Sequence, residues 1–166
     1  MAYFSTANIC ALALLKKTSP DDEPFVDAFV GLSGVYDIEK HYQWESLRGL
    51  HIISPMSAAA IGSKLSEIGS MTERRRFFSL SSPTLIVSND RRNYFVPLWI
   101  LLHCVDDTTV PFTSSLEFAK SLLSNEQTVK TYFPPVCYIV LTRTEFNSSS
   151  FTVIVLYYTE KISTTF

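Results

Sequence analysis

The segment HCVDDTTVP, residues 103–111, places one histidine and two carboxylates directly behind the apolar run VPLWILL at 96–102. The apolar run is long enough for one buried strand. Two interpretations fit the polar residues that follow it. They form either a turn that ends the strand, or a loop that holds a catalytic carboxylate at the carboxyl edge of a sheet, where the sites of parallel sheets gather. The choice depends on what the rest of the chain supplies.

The cysteines and the overall charge point to no metal, cofactor or nucleic acid. The three cysteines, Cys10, Cys104 and Cys137, are widely spaced and form no CxxC or Cys/His cluster, so neither a zinc site nor a disulfide framework is indicated and reduced thiols are expected. A net charge of −2 gives no general attraction to nucleic acid. We therefore expect no cofactor, no metal and no nucleic-acid partner.

No apolar stretch of the 166 residues reaches the ~20 residues that span a bilayer. The sequence therefore predicts no transmembrane span, and a cytosol-facing compartment is the default location when thiols are reduced.

Helices and strands alternate along the chain up to about residue 133. The apolar periodicity predicts strands at 25–30, 96–102 and 128–133. Helices are predicted at 7–17, 38–50, 54–62, 63–78 and 112–125, the last with a capping box of Ser114 and Glu117, and 79–93 is predicted to be a loop with a short extended piece.

This alternation favours an α/β fold with a parallel sheet of about three strands covered by helices on both faces. In such a sheet the turns at 33–37 and 105–109 lie at the same edge. Gly31 and Gly34 are expected to permit a tight turn after the first strand.

The tail after residue 135 has a different composition. It is rich in β-branched and aromatic residues and lacks Gly and Asp. We therefore divide the chain into a domain at 1–135 and an atypical tail at 136–166. The tail is either a β-hairpin around NSSS or poorly ordered.

Three motifs in order resemble the carboxyl half of an α/β-hydrolase of the esterase type. They are SGVYD at 33–37, HYQWESLRG at 41–49 with SPM after it, and HCVDDTTVP. The most similar branch is the isoprenylcysteine α-carbonyl methylesterase family, with kynurenine formamidases and small carboxylesterases as relatives. The resemblance covers residues 9–133.

The resemblance implies a serine-type carboxylesterase in which Asp107 is the acid of the catalytic triad and Asp106 a bystander. Such an enzyme also needs a serine nucleophile, a histidine that takes its proton, and backbone donors for the oxyanion. A prenylated-cysteine methyl ester is the substrate that the family suggests, and association with endoplasmic reticulum or Golgi membranes is allowed. Tyr42, Trp44 and Phe112 are either cleft or core residues.

The chain departs from the family pattern at the other two triad positions. The GxSxG elbow aligns with Ala2–Thr6, which places Phe4 at the nucleophile position and Ser5, the candidate nucleophile, one residue later. No histidine follows Asp107. Of the three histidines, His103 is expected to shape the acid turn, whereas His41 and His51 are expected at the surface or in turns.

Two hypotheses follow. The first is an esterase that is truncated and inactive as this chain stands. The second is a non-catalytic binding or scaffold protein that uses the half-sheet, with a protein partner at its open edge.

Overall fold

The computed structural model describes residues 3–16, 26–54, 56, 70–90, 96, 98–135, 138–146 and 149–157. Their helices are α1 (Tyr3–Lys16), α2 (Ile38–Leu47), α3 (Met71–Leu80), α4 (Pro83–Asn89) and α5 (Thr113–Ser124). Their strands are β1 (Phe29–Leu32), β2 (Trp99–Leu102), β3 (Val129–Tyr132), β4 (Tyr138–Phe146) and β5 (Ser149–Tyr157).

The first three strands form a parallel sheet in the order β1-β2-β3. Phe29 pairs with Trp99, and Trp99 pairs with Val129. Each strand falls at or next to its predicted position, and the α/β architecture with about three core strands flanked by helices is confirmed. Strands β2 and β3 are shorter than predicted, because only four residues of each pair with a neighbouring strand.

Helices α1, α4 and α5 cover one face of this sheet. Their side chains join Phe29, Trp99 and Leu101 in a single buried cluster, in which the Trp99 and Phe118 rings meet edge to face at 5.5 Å. Successive side chains of a strand point to opposite faces. The other face therefore carries Val30 and Tyr132, which are 52% and 49% exposed.

Among the described residues, helices cover one face of the sheet, whereas cover on both faces was expected. The strand order runs in one direction from β1 to β3, and crossovers between parallel strands are right-handed. The helices of successive crossovers in such an order lie on the same face. Within the described part of the chain, no strand pairs with the other edge of β1.

Three details of the helix predictions are wrong. In its described part, the helix predicted at 63–78 begins only at Met71, because the Ser70 side chain accepts the Glu73 N–H as an N-cap. Residues 83–89 are helical rather than a loop, because Pro83 takes the first helical position after Ser82. Ser114 does not cap α5: the helix begins after Phe112 without a side-chain cap. The hydroxyl of Ser114 instead accepts a hydrogen bond from the Tyr36 N–H at 2.9 Å. The predicted helix at 54–62 lies mostly outside the described residues.

The tail strands β4 and β5 pair antiparallel, with Phe146 opposite Ser149. This is the hairpin around NSSS, one of the two alternatives for this segment. Among the helices that the structure describes, none combines the length and the apolar composition that a membrane span requires.

Candidate active site

The two polar turns predicted to share an edge do meet there. The Ser33 N–H donates to the Leu102 carbonyl at 2.9 Å, so the turn after β1 begins beside the loop after β2. Asn8 of α1 also holds this turn, because its side-chain amide donates to the Val35 carbonyl at 2.7 Å.

The turn after β1 is shaped by the Tyr36 side chain. Tyr36 is fully buried and stacks on Phe118 with ring centroids 4.4 Å apart, and burial raises the pKa of its hydroxyl. A Cβ at Gly31 or Gly34 would overlap the Tyr36 side chain. These glycines are therefore needed for close approach, whereas the residue with positive φ in this turn is Ser33, at 45°.

Asp37 ends this turn and begins α2. Its carboxylate accepts the Lys40 N–H at 3.1 Å, as a helix N-cap does. Burial raises the pKa of Asp37, although hydrogen bonds from the Lys40 and Glu39 backbone oppose the rise. Lys40 in turn forms an ion pair with Glu117 of α5 at 2.7 Å.

Asp107 is held by the backbone of its own loop. Its Oδ1 atom accepts the N–H groups of Thr109 and Val110 at 2.9 and 3.0 Å, and the side chain is only 12% exposed. Burial alone would raise the pKa of Asp107, but hydrogen bonds from His103 and from the two N–H groups outweigh it and lower the pKa. The carboxylate is therefore ionised at neutral pH.

His103 has the turn-shaping contacts expected of it. Its Nε2 lies 2.9 Å from the Val110 carbonyl and must carry the hydrogen, because a carbonyl only accepts. Nδ1 lies 2.7 Å from the Ser115 hydroxyl. The Asp107 Oδ2 atom is 3.5 Å from Nε2. Both nitrogens of the buried ring are thus engaged, one by the loop and one by α5, and the ring is not placed to exchange protons with a substrate.

A cleft of about 900 Å³, measured with its open side, lies between α2 and the loop of Asp107. Its walls include Trp44, Leu47 and Phe112, with Lys40 and Asp107 as charged lining residues. Trp44 and Phe112 are therefore cleft residues. Tyr42 instead packs against the buried cluster of Phe78. Asp106 is exposed.

His41 is neither at the surface nor in a turn, contrary to expectation. It lies in α2 with 5% of its surface exposed, and its Nε2 is 3.1 Å from the Glu45 carboxylate one turn later. Burial lowers the pKa of His41, and the nearby Glu45 and Asp107 carboxylates only partly oppose this. The i, i+4 spacing of His41 and Glu45 was the signal in the sequence.

Ser5 is the third residue of α1, which begins at Tyr3. His51 lies in a turn, as expected, with its ring 5.5 Å from that of Tyr42.

The expectation of reduced cysteines is wrong for Cys104. Cys104 is disulfide-bonded, whereas Cys10 is a free, exposed thiol. The sequence alone does not reveal such a bond, because the number of residues between two cysteines does not determine the distance between their thiols in the fold. Among the described residues, no group of His, Cys, Asp and Glu is arranged to hold a metal ion.

The parallel sheet, the helices on its face and the polar turns at its carboxyl edge make this part of an α/β-hydrolase fold. Solved structures with the same fold include an acylaminoacyl peptidase in complex with Z-Gly-Gly-Phe-chloromethyl ketone. It matches with a TM-score of 0.52 and 14% identity, over 77% of this chain and 17% of that chain.

The acylaminoacyl peptidase of Pyrococcus horikoshii, in its orthorhombic crystal form, matches with a TM-score of 0.54 and 17% identity over the same shares of the two chains. The chain thus spans about 17% of the length of these structures. No protein-family model matches the sequence, and no curated protein matches it. The comparisons therefore show the α/β-hydrolase fold and not the methylesterase family.

Proposed function

We propose that this chain supplies the triad acid and part of the substrate cleft of a serine carboxylic-ester hydrolase. The observation that carries the proposal is the Asp107 carboxylate, which is ionised, fixed by two backbone N–H groups and open to a cleft at the carboxyl edge of a parallel sheet. This is the position at which α/β sheets bind ligands.

Asp107 would perform the role of the acid through its Oδ2 atom. Oδ1 accepts both backbone donors, and the nearer acceptor of the His103 Nε2–H is the Val110 carbonyl. Oδ2 receives only the longer of these two contacts and keeps a second lone pair, with which it can accept a hydrogen from another imidazole. A serine hydroxyl attacks the ester carbonyl while that imidazole takes its proton, and the carboxylate stabilises the imidazolium that forms.

The walls of the cleft favour an apolar ester. Trp44, Leu47 and Phe112 offer aromatic and aliphatic surface beside Asp107, and such surface contributes affinity for an apolar group in proportion to the area removed from water. A prenylated-cysteine methyl ester is the substrate that we propose within this class.

We expect this chain alone not to hydrolyse esters. It has no histidine after Asp107, and Ser5 stands one residue beyond the position that the resemblance assigns to the nucleophile. The purified chain should turn over p-nitrophenyl acetate and a prenylcysteine methyl ester no faster than buffer does. Turnover that disappears in both Ser5→Ala and Asp107→Asn would contradict this expectation and assign hydrolysis to the chain itself.

The role of Asp107 is tested in a longer product. Transcript sequence is read on both sides of this frame for a GxSxG segment upstream and a histidine downstream. If they are present, Asp107→Asn in the longer protein should lower kcat by about 10⁴-fold, whereas Asp106→Asn should leave kcat nearly unchanged. An unchanged kcat in Asp107→Asn would remove Asp107 from the mechanism.

A non-catalytic binding role is the second candidate, because no strand among the described residues pairs with the outer edge of β1, and Val30 of this strand is half exposed. An edge of this kind adds a strand from a partner. Val30→Lys should then abolish self-association of the chain, as measured by sedimentation velocity, since a charge on an edge strand opposes pairing. Asp107→Asn should leave association unchanged. Association that survives Val30→Lys would exclude this edge as the binding surface.

A further inference from the structure

We propose that Arg48 is a positioning residue for Asp107 and that it acts through the peptide group joining Thr108 to Thr109. Arg48 lies at the end of α2, 60 residues before the loop of Asp107 in sequence. The two motifs RG at 48–49 and DDTTVP at 106–111 meet at this peptide group.

Two hydrogen bonds on one peptide group define the link. The Arg48 Nη1–H donates to the Thr108 carbonyl, and the Thr109 N–H donates to the Asp107 Oδ1 at 2.9 Å. The carbonyl and N–H of a trans peptide point in opposite directions. A cation and a carboxylate therefore bind opposite ends of the same dipole, and each of these bonds strengthens the other by polarisation.

The guanidinium is itself held by α2. Arg48 is the C-cap residue of this helix, where the helix dipole attracts a cation. Its guanidinium carbon lies 5.7 Å from the centroid of the Trp44 ring, one turn earlier. Trp44 also lines the cleft into which Asp107 opens. Helix α2 thus supplies both a wall of the cleft and the charge that fixes the loop opposite.

The contact from Arg48 acts on an exposed part of the loop. Thr108 and Thr109 are exposed, so their peptide group gains little from burial. Turning this peptide would remove one of the two N–H donors of the Asp107 carboxylate and change the direction of Oδ2. This inference rests on the proposed function only where the direction of Oδ2 matters for catalysis. The effect of Arg48 on the loop can be measured without any hydrolysis.

The test compares Arg48→Gln and Arg48→Lys with the parent chain. Titration of the Asp107 carboxyl carbon by NMR gives its pKa, and the amide resonance of Thr109 reports its hydrogen bond to Oδ1. In Arg48→Gln we expect the pKa of Asp107 to rise by about half a unit to one unit, with a changed Thr109 amide shift. Arg48→Lys should recover part of both, because it keeps the charge without the fixed fork.

Arg76→Gln is the matched control, because Arg76 is an exposed arginine of α3. The proposal requires both changes in Arg48→Gln and neither in Arg76→Gln. An Asp107 titration and a Thr109 amide that stay as in the parent chain would overturn it. Equal changes in the two glutamine variants would also overturn it, since they would trace the effect to net charge.

Discussion

At the scale of single residues, His103 and Asp107 are four residues apart and have different roles. The nitrogens of His103 contact the Ser115 hydroxyl of α5 and the Val110 carbonyl of the loop, whereas Asp107 lines the cleft. His103→Ala would leave the Ser115 hydroxyl and the Val110 carbonyl buried without this partner. We expect the free energy of unfolding to fall by about 2–4 kcal/mol in urea titration.

The control for this loss is Asp106→Ala, at an exposed position of the same loop. Its unfolding free energy should stay within about 0.5 kcal/mol of the parent chain. A similarly small effect of His103→Ala would contradict the structural role given to this histidine.

His41 should make stability depend on pH. Because its folded pKa lies below the ordinary 6.5, the unfolded chain takes up a proton first as the pH falls below about 6.5, and the free energy of unfolding decreases until the folded pKa is reached. His41→Gln removes this contribution. The loss of stability between about pH 7.5 and about pH 5.5 should therefore be smaller in the variant, as measured by urea unfolding at each pH.

The raised pKa of Asp37 acts in the opposite direction as the pH falls, since the folded state then binds a proton more readily than the unfolded chain. Asp37 is present in both proteins, so its contribution cancels in the comparison. An identical pH dependence in the parent chain and His41→Gln would show that His41 titrates alike in the folded and unfolded states.

The sequence predicted where the loop of Asp107 lies but not the surroundings of its side chains. The apolar run before residue 103 located the strand and the carboxylate behind it. The pairing of His41 with Glu45 was visible as an i, i+4 spacing, yet the burial of His41 was not. Burial depends on the packing of α2 over the carboxyl edge, and a polar helix face gives no sign of such packing.

At the scale of elements, one side chain connects α1 to two other segments. Asn8 is buried, and its amide donates to the carbonyls of Val35 and Ser81 at 2.7 and 3.1 Å. Asn8→Ala would leave both carbonyls without this donor and should cost about 2–3 kcal/mol of unfolding free energy. Ile9→Ala, at a position 61% exposed on the same helix, should cost less than about 1 kcal/mol in the same thermal or urea unfolding.

Equal losses from Asn8→Ala and Ile9→Ala would contradict the role given to the two hydrogen bonds, because alanine raises the helix propensity at both positions and propensity alone would cause no loss. Circular dichroism at low temperature should show the same helix content in both variants. Equal helix content would show that the lost free energy comes from weaker docking of α1 and not from loss of the helix itself.

Local signals found the longer elements and failed where tertiary contacts define an element. Strands β1 to β3 and helices α2 and α5 follow apolar patterns. Helix α4 has only seven residues, and its start is fixed from outside by the Thr84 N–H, which donates to the Tyr36 carbonyl at 3.0 Å. Ser114 was assigned to a cap for the same reason, since its actual partner, Tyr36, is 78 residues away.

At the scale of the whole molecule, the two outer strands of the parallel sheet, β1 and β3, each pair with β2 alone among the described residues. The N–H groups of Phe29 and Ser33 donate to β2 and its ends, at 2.9 Å each. Because donors alternate along a parallel strand, those of Val30 and Leu32 point to the opposite edge. The rate of amide hydrogen exchange should therefore alternate between slow and fast from one residue to the next along β1.

We expect the amides of Val30 and Leu32 to exchange at least about 100-fold faster than that of Phe29, as measured by NMR on the full chain at low concentration. The Trp99 amide, which donates to Thr128 inside the sheet at 2.9 Å, serves as the protected reference. Uniform protection along β1 that disappears on dilution would show that copies of the chain pair through this edge. Uniform protection that persists on dilution would mean that another segment of the chain covers the edge.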